Sequence, residues 1–372
     1  MQIEKKIKII QLFIYFLVIF VFLVYYFNVK QRITDYIGYY EASRQILQDY
    51  TKVYEYEVVG LFYRYFPTFL FLILPITVLP FPVSYCIFTT INFIISILAM
   101  IYLGKIIKLL QWDNKKMRYA VFFLPSTVVS LFYAQVTTIL SFLVILSLYL
   151  RLKEETDKSN LVLGISMVIK PITIFIFLTY LISLIKGKEF KKMIRSILFF
   201  LIPLSSDILL FLFAPGLLES YIRNAVLGLD MRPESASISF ASLFHYLFNQ
   251  HLLLFVIICV LIYGVFSLIY VKSSKENKRN NAIMIYIIGI VWHFFGLIDV
   301  WTSQLILLYV GLILFDPINK RRTYFIIIFE IIAQFVTLTY YVVPIVSIIG
   351  MFGVAFLFIL LLKDIVDDSK KI

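Results

Sequence analysis

Residues 13–47 read FIYFLVIFVFLVYYFNVKQRITDYIGYYEASRQIL, an apolar run that gives way abruptly to a tyrosine-rich polar segment opened by Asp35. The apolar part extends over about residues 8–28, and about 20 mainly apolar residues suffice to cross a bilayer as a helix. It is longer than the apolar core of a signal peptide and lacks a small-residue cleavage site, so it reads as a retained helix. Lys5, Lys6 and Lys8 precede it. By the excess of basic residues on cytoplasmic flanks, the segment after it, 29–66, is expected outside as a first long extracytoplasmic loop.

The pattern repeats along the chain. Of 372 residues, 62% are hydrophobic and only 15% charged, more apolar side chain than the interior of a soluble domain of this size can hide. Further apolar runs lie at about 67–82, 83–104, 117–133, 136–150, 161–185, 196–213, 251–271, 282–298, 301–315, 323–340 and 343–362. The expectation is an all-α polytopic membrane protein, one integral domain over 1–372 with about 11–13 spans. A second long extracytoplasmic loop falls at 214–250. The net charge of +12 resides in short loops such as 105–118, 186–195, 272–279 and 320–322, which fits cytoplasmic loops beside anionic lipid and not a nucleic-acid partner. Cys86 and Cys259 both sit in apolar runs and suggest neither a disulfide framework nor a zinc site.

The parity of spans does not close if 67–82 and 83–104 both cross. The run at 67–82, with Pro67, Pro75, Pro80 and Pro82, is the natural re-entrant or broken segment, and 161–185 is interrupted in the same way by Lys170-Pro171. Irregular backbone at membrane depth survives only where protein or a water-filled cavity surrounds it.

Polar groups in such a setting are costly, at least ~2.5–3.5 kcal/mol for a charge at the bilayer centre, and so face a cavity or each other. Lys170 is the clearest case: Pro171 disfavours helix just where an ammonium is placed, which suits an anionic ligand such as a phosphate. The alternative is a lysine snorkelling from a helix end. Gln135, in FYAQVTTIL, is either an interhelical hydrogen-bonding residue or a ligand contact. Asp207, His293, Asp299 and Gln304 are further intramembrane candidates, and Glu330 and Gln334 share a helix face. No Walker sequence, Gly-rich phosphate loop or His/Cys ligand cluster appears.

Taken in order, TDYIGYYEAS, YRYFP, FLFLILPITVLPFP, FYAQVTTILSFLVILSLYL and GISMVIKP resemble the GT-C superfamily of membrane glycosyltransferases, and most nearly glycosyltransferase family 87. The first loop is also similar to the catalytic subunit of the first glycosylphosphatidylinositol mannosyltransferase. The resemblance covers roughly residues 8–185. Departures are visible: the family's glutamine follows glycine, whereas Ala134 precedes Gln135 here, and the C-terminal half offers Trp301 and Gln304 where family members carry a histidine near a tryptophan.

The resemblance implies a GT-C-like bundle that transfers a hexose, mannose in the relatives, from a polyprenyl- or dolichyl-phosphate donor. The acceptor would be a glycolipid or glycan on the extracytoplasmic face of the cell membrane, or of the endoplasmic reticulum in a eukaryote, and transfer would invert the anomeric carbon. Asp35 is the expected general base, although Thr34-Asp35 also suits the N-cap of a helix over Tyr36–Leu47. Lys170 and Arg64 would hold the donor phosphate, and Tyr63, Tyr65, Gln135, Gln304 and His293 would line the substrate site. Tyr63 and Tyr65 alternatively belong to an interfacial aromatic belt. No cofactor is expected beyond the donor itself. A divalent metal stays open, with Asp35 beside Asp49 or Glu57 as the carboxylate pair. The competing readings are a secondary transporter or lipid flippase, and a non-catalytic subunit of a glycosyltransferase complex.

Overall fold

A computed structural model of the chain describes residues 35–54, 57–58, 61–110, 127, 130–131, 133–222, 261, 264, 278–296 and 307. Apart from one two-stranded hairpin, the regular elements among these residues are helical. The first apolar span, most of the second long loop, the run at 301–315 apart from Leu307, and the runs at 323–340 and 343–362 lie outside the described residues.

Helix α1 (Asp35–Gln48) replaces the expected Tyr36–Leu47 helix almost residue for residue. Its buried face is set by Tyr36, Tyr39, Tyr40, Ser43 and Ile46, while Leu47 is 62% exposed. The described residues of the expected loop form α1, a 3-10 turn (Tyr50–Lys52), then β1 (Glu57–Val58) paired antiparallel with β2 (Leu61–Phe62). Ser43 fastens α1 to the next helix, donating to the Leu70 carbonyl at 3.1 Å and meeting the Thr77 hydroxyl at 2.9 Å.

That next helix, α2 (Pro67–Thr77), has 11 residues. At ~1.5 Å per residue this is about half of a ~30 Å hydrocarbon core, so the suspected segment does not span as a helix. Helix α3 (Phe81–Leu109, 29 residues) follows, and with α7 (Phe190–Phe213, 24 residues) it is one of two described helices long and apolar enough to cross a membrane. Both present apolar side chains outward, Ile91, Ile94 and Ile101 on α3 and Leu198, Ile202, Leu209 and Leu212 on α7. A contiguous apolar face of this sort marks contact with lipid or another protein.

Helices α4 (Thr137–Leu152) and α5 (Thr156–Ile169) form an antiparallel hairpin. The run at 161–185 then breaks as expected, α5 stopping at Lys170 before a 3-10 turn (Pro171–Thr173) and α6 (Ile174–Lys186). The break reverses the chain. Phe177 of α6 stacks on Phe200 of α7 with ring centroids 3.8 Å apart, and Gly164 of α5 abuts the same Phe200. Residues equidistant from the break thus sit at one level. Helix α7 lies parallel to α5, with Arg195 paired to Asp157 near the start of both. A short helix α8 (Pro215–Ser220) follows, and α9 (Lys278–Gly296) packs on α6 and α4. Lys153, Lys158, Lys186, Lys188, Lys191 and Lys192 consequently collect at one end of the bundle, and the Lys170 break at the other.

Three helix ends use the same device. Ala134, Glu154 and Lys188 have φ of 48°, 64° and 55°. In each case the following N–H reaches back five residues, as Gln135 to Ser130 at 2.8 Å, Glu155 to Leu150 at 2.9 Å and Glu189 to Leu184 at 2.9 Å. These are Schellman turns whose left-handed position is filled without glycine.

Candidate active site

The Schellman turn at Ala134 delivers Gln135 into the interior immediately before α4. Its Nε2 donates to Asp35 Oδ2 at 2.5 Å, joining residues 100 apart in the chain. Gln135 is buried and Asp35, in the first turn of α1, is half-buried. A hydrogen bond to an ionised acceptor is worth ~1.5–3 kcal/mol net, about twice a neutral one. The donor amide holds one oxygen of the planar carboxylate and so restricts the direction of the other. Gln135 Oε1 is buried with no partner among the described residues.

Lys170 stands at the end of α5 in extended conformation (φ −155°, ψ 133°), as the following proline favours, with its N–H still bonded to the Ser166 carbonyl at 3.0 Å. Its ammonium lies 5.3 Å from the Tyr65 ring centroid, a cation–π contact. The Tyr65 hydroxyl meets that of Tyr39 at 3.5 Å, and Tyr39 is one helical turn along α1 from Asp35. Burial, reinforced by Tyr65 and by the charge of Asp35, holds the Tyr39 hydroxyl well above its ordinary pKa. It is therefore a neutral donor beside a carboxylate. The sequence-derived residues Asp35, Gln135, Tyr65 and Lys170 thus form one continuous set, with Tyr39 as the link that sequence reading missed.

Tyr63 has a different part. It is buried at 3% exposure, its hydroxyl donates to the Phe66 carbonyl at 2.8 Å, and Tyr54 donates to the Tyr65 carbonyl at 2.9 Å. Both staple the loop whose backbone presents Arg64 and Tyr65, and burial raises both hydroxyl pKa values. Arg64 is half-buried between them. Asp207, ranked behind Lys170 by sequence, accepts from the Thr68 N–H at 2.8 Å at the start of α2. His293 is fully buried on α9, next to Trp292, whose ring meets Phe175 just past the Lys170 break at 5.2 Å. Gln304 and Asp299 lie outside the described residues.

Among the described residues no group of three His, Cys, Asp or Glu side chains is placed to hold a metal ion. Asp49, one carboxylate considered for such a pair, is committed to Thr51, accepting from its N–H at 3.1 Å and its hydroxyl at 2.5 Å. Those bonds and Lys52 hold its pKa below the usual value.

The model of glycosyltransferase family 87 matches residues 62–298. The chain belongs to this family. Its members are glycosyltransferases, so this protein moves a sugar from a donor to an acceptor. No curated protein and no solved structure matches the chain. The matched interval includes Arg64, Tyr65, Gln135, Lys170 and His293, while Asp35 precedes it and enters the site through its bond to Gln135. Glycosyl transfer needs an acceptor hydroxyl deprotonated and a leaving oxygen stabilised. This family member brings a carboxylate and an ammonium to the same end of its bundle.

Proposed function

We propose that the protein is a multi-pass membrane glycosyltransferase that transfers a hexose, in the first instance mannose, from a polyprenyl-phosphate donor to a glycolipid or glycan acceptor on the extracytoplasmic face. The observation that carries this reading is the Gln135–Asp35 bond, made beside the Lys170–Tyr65 pair. It joins the loop after the first apolar run to the two segments that the family resemblance singled out.

In the proposed step Asp35 accepts the proton of an acceptor hydroxyl as that oxygen attacks the anomeric carbon. The bond from this carbon to the phosphate oxygen breaks, its electron pair leaves with the polyprenyl phosphate, and configuration inverts. Base assistance of this kind is worth about 10²–10⁴-fold. Lys170, with Arg64, stabilises the charge gathering on the phosphate, where a fixed cation is most effective in the transition state. Tyr65 holds the ammonium by its ring face, and the neutral Tyr39 hydroxyl lies within reach of sugar or carboxylate oxygens. The isoprenoid tail binds through its apolar length at ~0.8 kcal/mol per buried CH₂. The outward apolar faces of α3 and α7 support a lipid setting, and the basic residues collected at the far end support a cytoplasmic placement for that end and an extracytoplasmic one for the site. The test is transfer of labelled sugar from polyprenyl-phosphate-mannose, and from the glucose analogue, to a lipid extract. Accumulation of substrate in vesicles without new glycoconjugate would instead favour a transporter.

A further inference from the structure

Asp207 is a carboxylate 2% exposed inside the bundle, with no basic side chain bonded to it among the described residues. Its Oδ1 accepts the N–H of Thr68, while the neighbouring Ser206 hydroxyl accepts from the Thr68 hydroxyl at 3.0 Å. Both bonds fall on the first turn of α2, directly after the Tyr63–Phe66 stretch. Pro67 has no N–H to offer, so Thr68 carries the first donor of that helix, and a carboxylate there satisfies it and complements the helix dipole. A carboxylate kept where water is excluded costs several kcal/mol unless its contacts repay it. A capping serine would do the same job for less.

The geometry of α5 and α7 says what the arrangement achieves. The two helices run parallel and meet backbone to backbone where a Cβ on Gly164 would lie 2.3 Å from the Phe200 carbonyl oxygen. Six residues beyond Gly164 is Lys170, and seven beyond Phe200 is Asp207. The pair therefore reaches the same level with one charge each and grips one short loop at two points three residues apart, Lys170 on the Tyr65 ring and Asp207 on the Thr68 amide. We propose that Asp207 is a positioning residue that fixes the Tyr65–Thr68 loop against α7 and thereby sets where Tyr65 meets Lys170 in the donor-phosphate site.

The proposal rests on the transferase reading for its consequence, and its structural half is independent of that reading. Three forms of the full chain are compared in detergent or nanodiscs: wild type, Asp207→Ala, and Asp207→Asn, which keeps an oxygen for Thr68. Hydrogen exchange is followed for peptides covering 61–68 and, as a control, 156–169. Steady-state transfer from polyprenyl-phosphate-mannose is measured alongside. The expected result is at least tenfold faster exchange at 61–68 in Asp207→Ala, unchanged exchange at 156–169, a donor KM raised at least tenfold with kcat changed by less than threefold, and recovery of most of both effects in Asp207→Asn. Unchanged exchange at 61–68 in Asp207→Ala overturns the proposal whatever the activity. So does faster exchange with donor KM and kcat unaltered. A wild-type chain that transfers no sugar sinks the transferase reading instead, and the loop-fixing role of Asp207 then stands or falls on exchange alone. Loss of exchange protection across 156–169 as well would show a global defect and contradict a local positioning role.

Discussion

Gly164→Ala adds one methyl group where two helices meet backbone to backbone. The new Cβ would lie 2.3 Å from the Phe200 carbonyl oxygen, 3.1 Å from its carbonyl carbon and 3.0 Å from Pro203 Cδ. Two of these three atoms are main chain, and the third is a ring with no rotamer to yield. Relief therefore requires α5 and α7 to part by about 1 Å, and overpacking of this kind costs ~1–3 kcal/mol, the upper end where nothing can rotate away. Alanine returns up to ~1 kcal/mol of helix propensity, leaving about 2 kcal/mol of net destabilisation. That corresponds to a fall in Tm of about 4–8 °C on the scale of 150–250-residue domains. Gly264→Ala is the control, since nothing lies within 4 Å of its Cβ. The assay is thermal unfolding of the purified variants in one detergent, with donor KM measured at a temperature where both remain folded. Because Lys170 and Asp207 sit just beyond the contact, donor KM should rise with the fall in Tm. A Gly164→Ala protein as stable as wild type, or one destabilised no more than Gly264→Ala, would refute the close parallel packing of α5 on α7 and the clamp built on it.

Other outcomes follow from single contacts. Gln135→Leu removes a charge-assisted bond of ~1.5–3 kcal/mol, so kcat should fall about 10–100-fold with donor KM little changed; an unaltered kcat would separate Gln135 from the chemistry. Ala134→Gly should keep full activity and Ala134→Val lose ~1–2 kcal/mol of stability, because φ of 48° suits glycine and penalises a branched side chain; equal melting of the two would contradict the left-handed turn. Lys170→Met should raise donor KM far more than Lys170→Arg, measured in the same transfer assay, whereas equal effects would point to lost packing on Tyr65. Alkaline pH should also destabilise the fold. Burial pushes the Tyr36 hydroxyl up to about 12 from its ordinary 10.0, so its contribution is complete below pH 10 and is lost as pH rises towards 12. Over two pH units this amounts to about 3 kcal/mol. Tyr36→Phe, which gives up the hydroxyl contact to Ser84, should flatten that part of the stability profile between pH 10 and 12.

The end of the molecule that carries the candidate site was partly legible because its signals are local. Pro171 removes a donor and pushes Lys170 into extended backbone, so the break at Lys170 could be read from two letters. Asp35 and Gln135 stood out as polar residues flanking apolar runs, and α1 followed from its aromatic spacing. That these residues meet was not legible, since the bond spans 100 positions and no periodicity encodes it. The break at Lys170 was read from the sequence, but the reversal there was not: it is shown by Gly164 and Phe177 sharing Phe200, and by Asn160 and Tyr180 sharing Arg151. Turn chemistry hid the Schellman ends, because Ala134, Glu154 and Lys188 occupy positions where glycine is the usual signal. The φ of 48° at Ala134 is one that glycine adopts without strain, which gives the departure from the glycine of the resemblance a physical meaning. Tyr63 illustrates the converse error. Expected at the substrate site or in an interfacial belt, it is buried and bonded to the Phe66 carbonyl, and burial depends on partners that the sequence does not name.

Arg151 is a further case of tertiary context. It lies 8% exposed at the basic end of α4, its Nε and Nη2 donating to Ser159 and Asn160 and its guanidinium carbon 3.5 Å from the Tyr180 ring centroid. The Ser147, Ser159 and Tyr286 hydroxyls complete a network that ties α4, α5, α6 and α9 together. This polar knot holds the end of the bundle opposite the Lys170 break.

The central claim is that Asp35 takes the acceptor proton. The most direct measurement is transfer of radiolabelled mannose from polyprenyl-phosphate-mannose to lipid extract by wild type and by Asp35→Asn, with both proteins shown to melt alike. The account expects labelled product from wild type and a loss of about 10²–10⁴-fold in the variant. Full activity in a folded Asp35→Asn protein would contradict it.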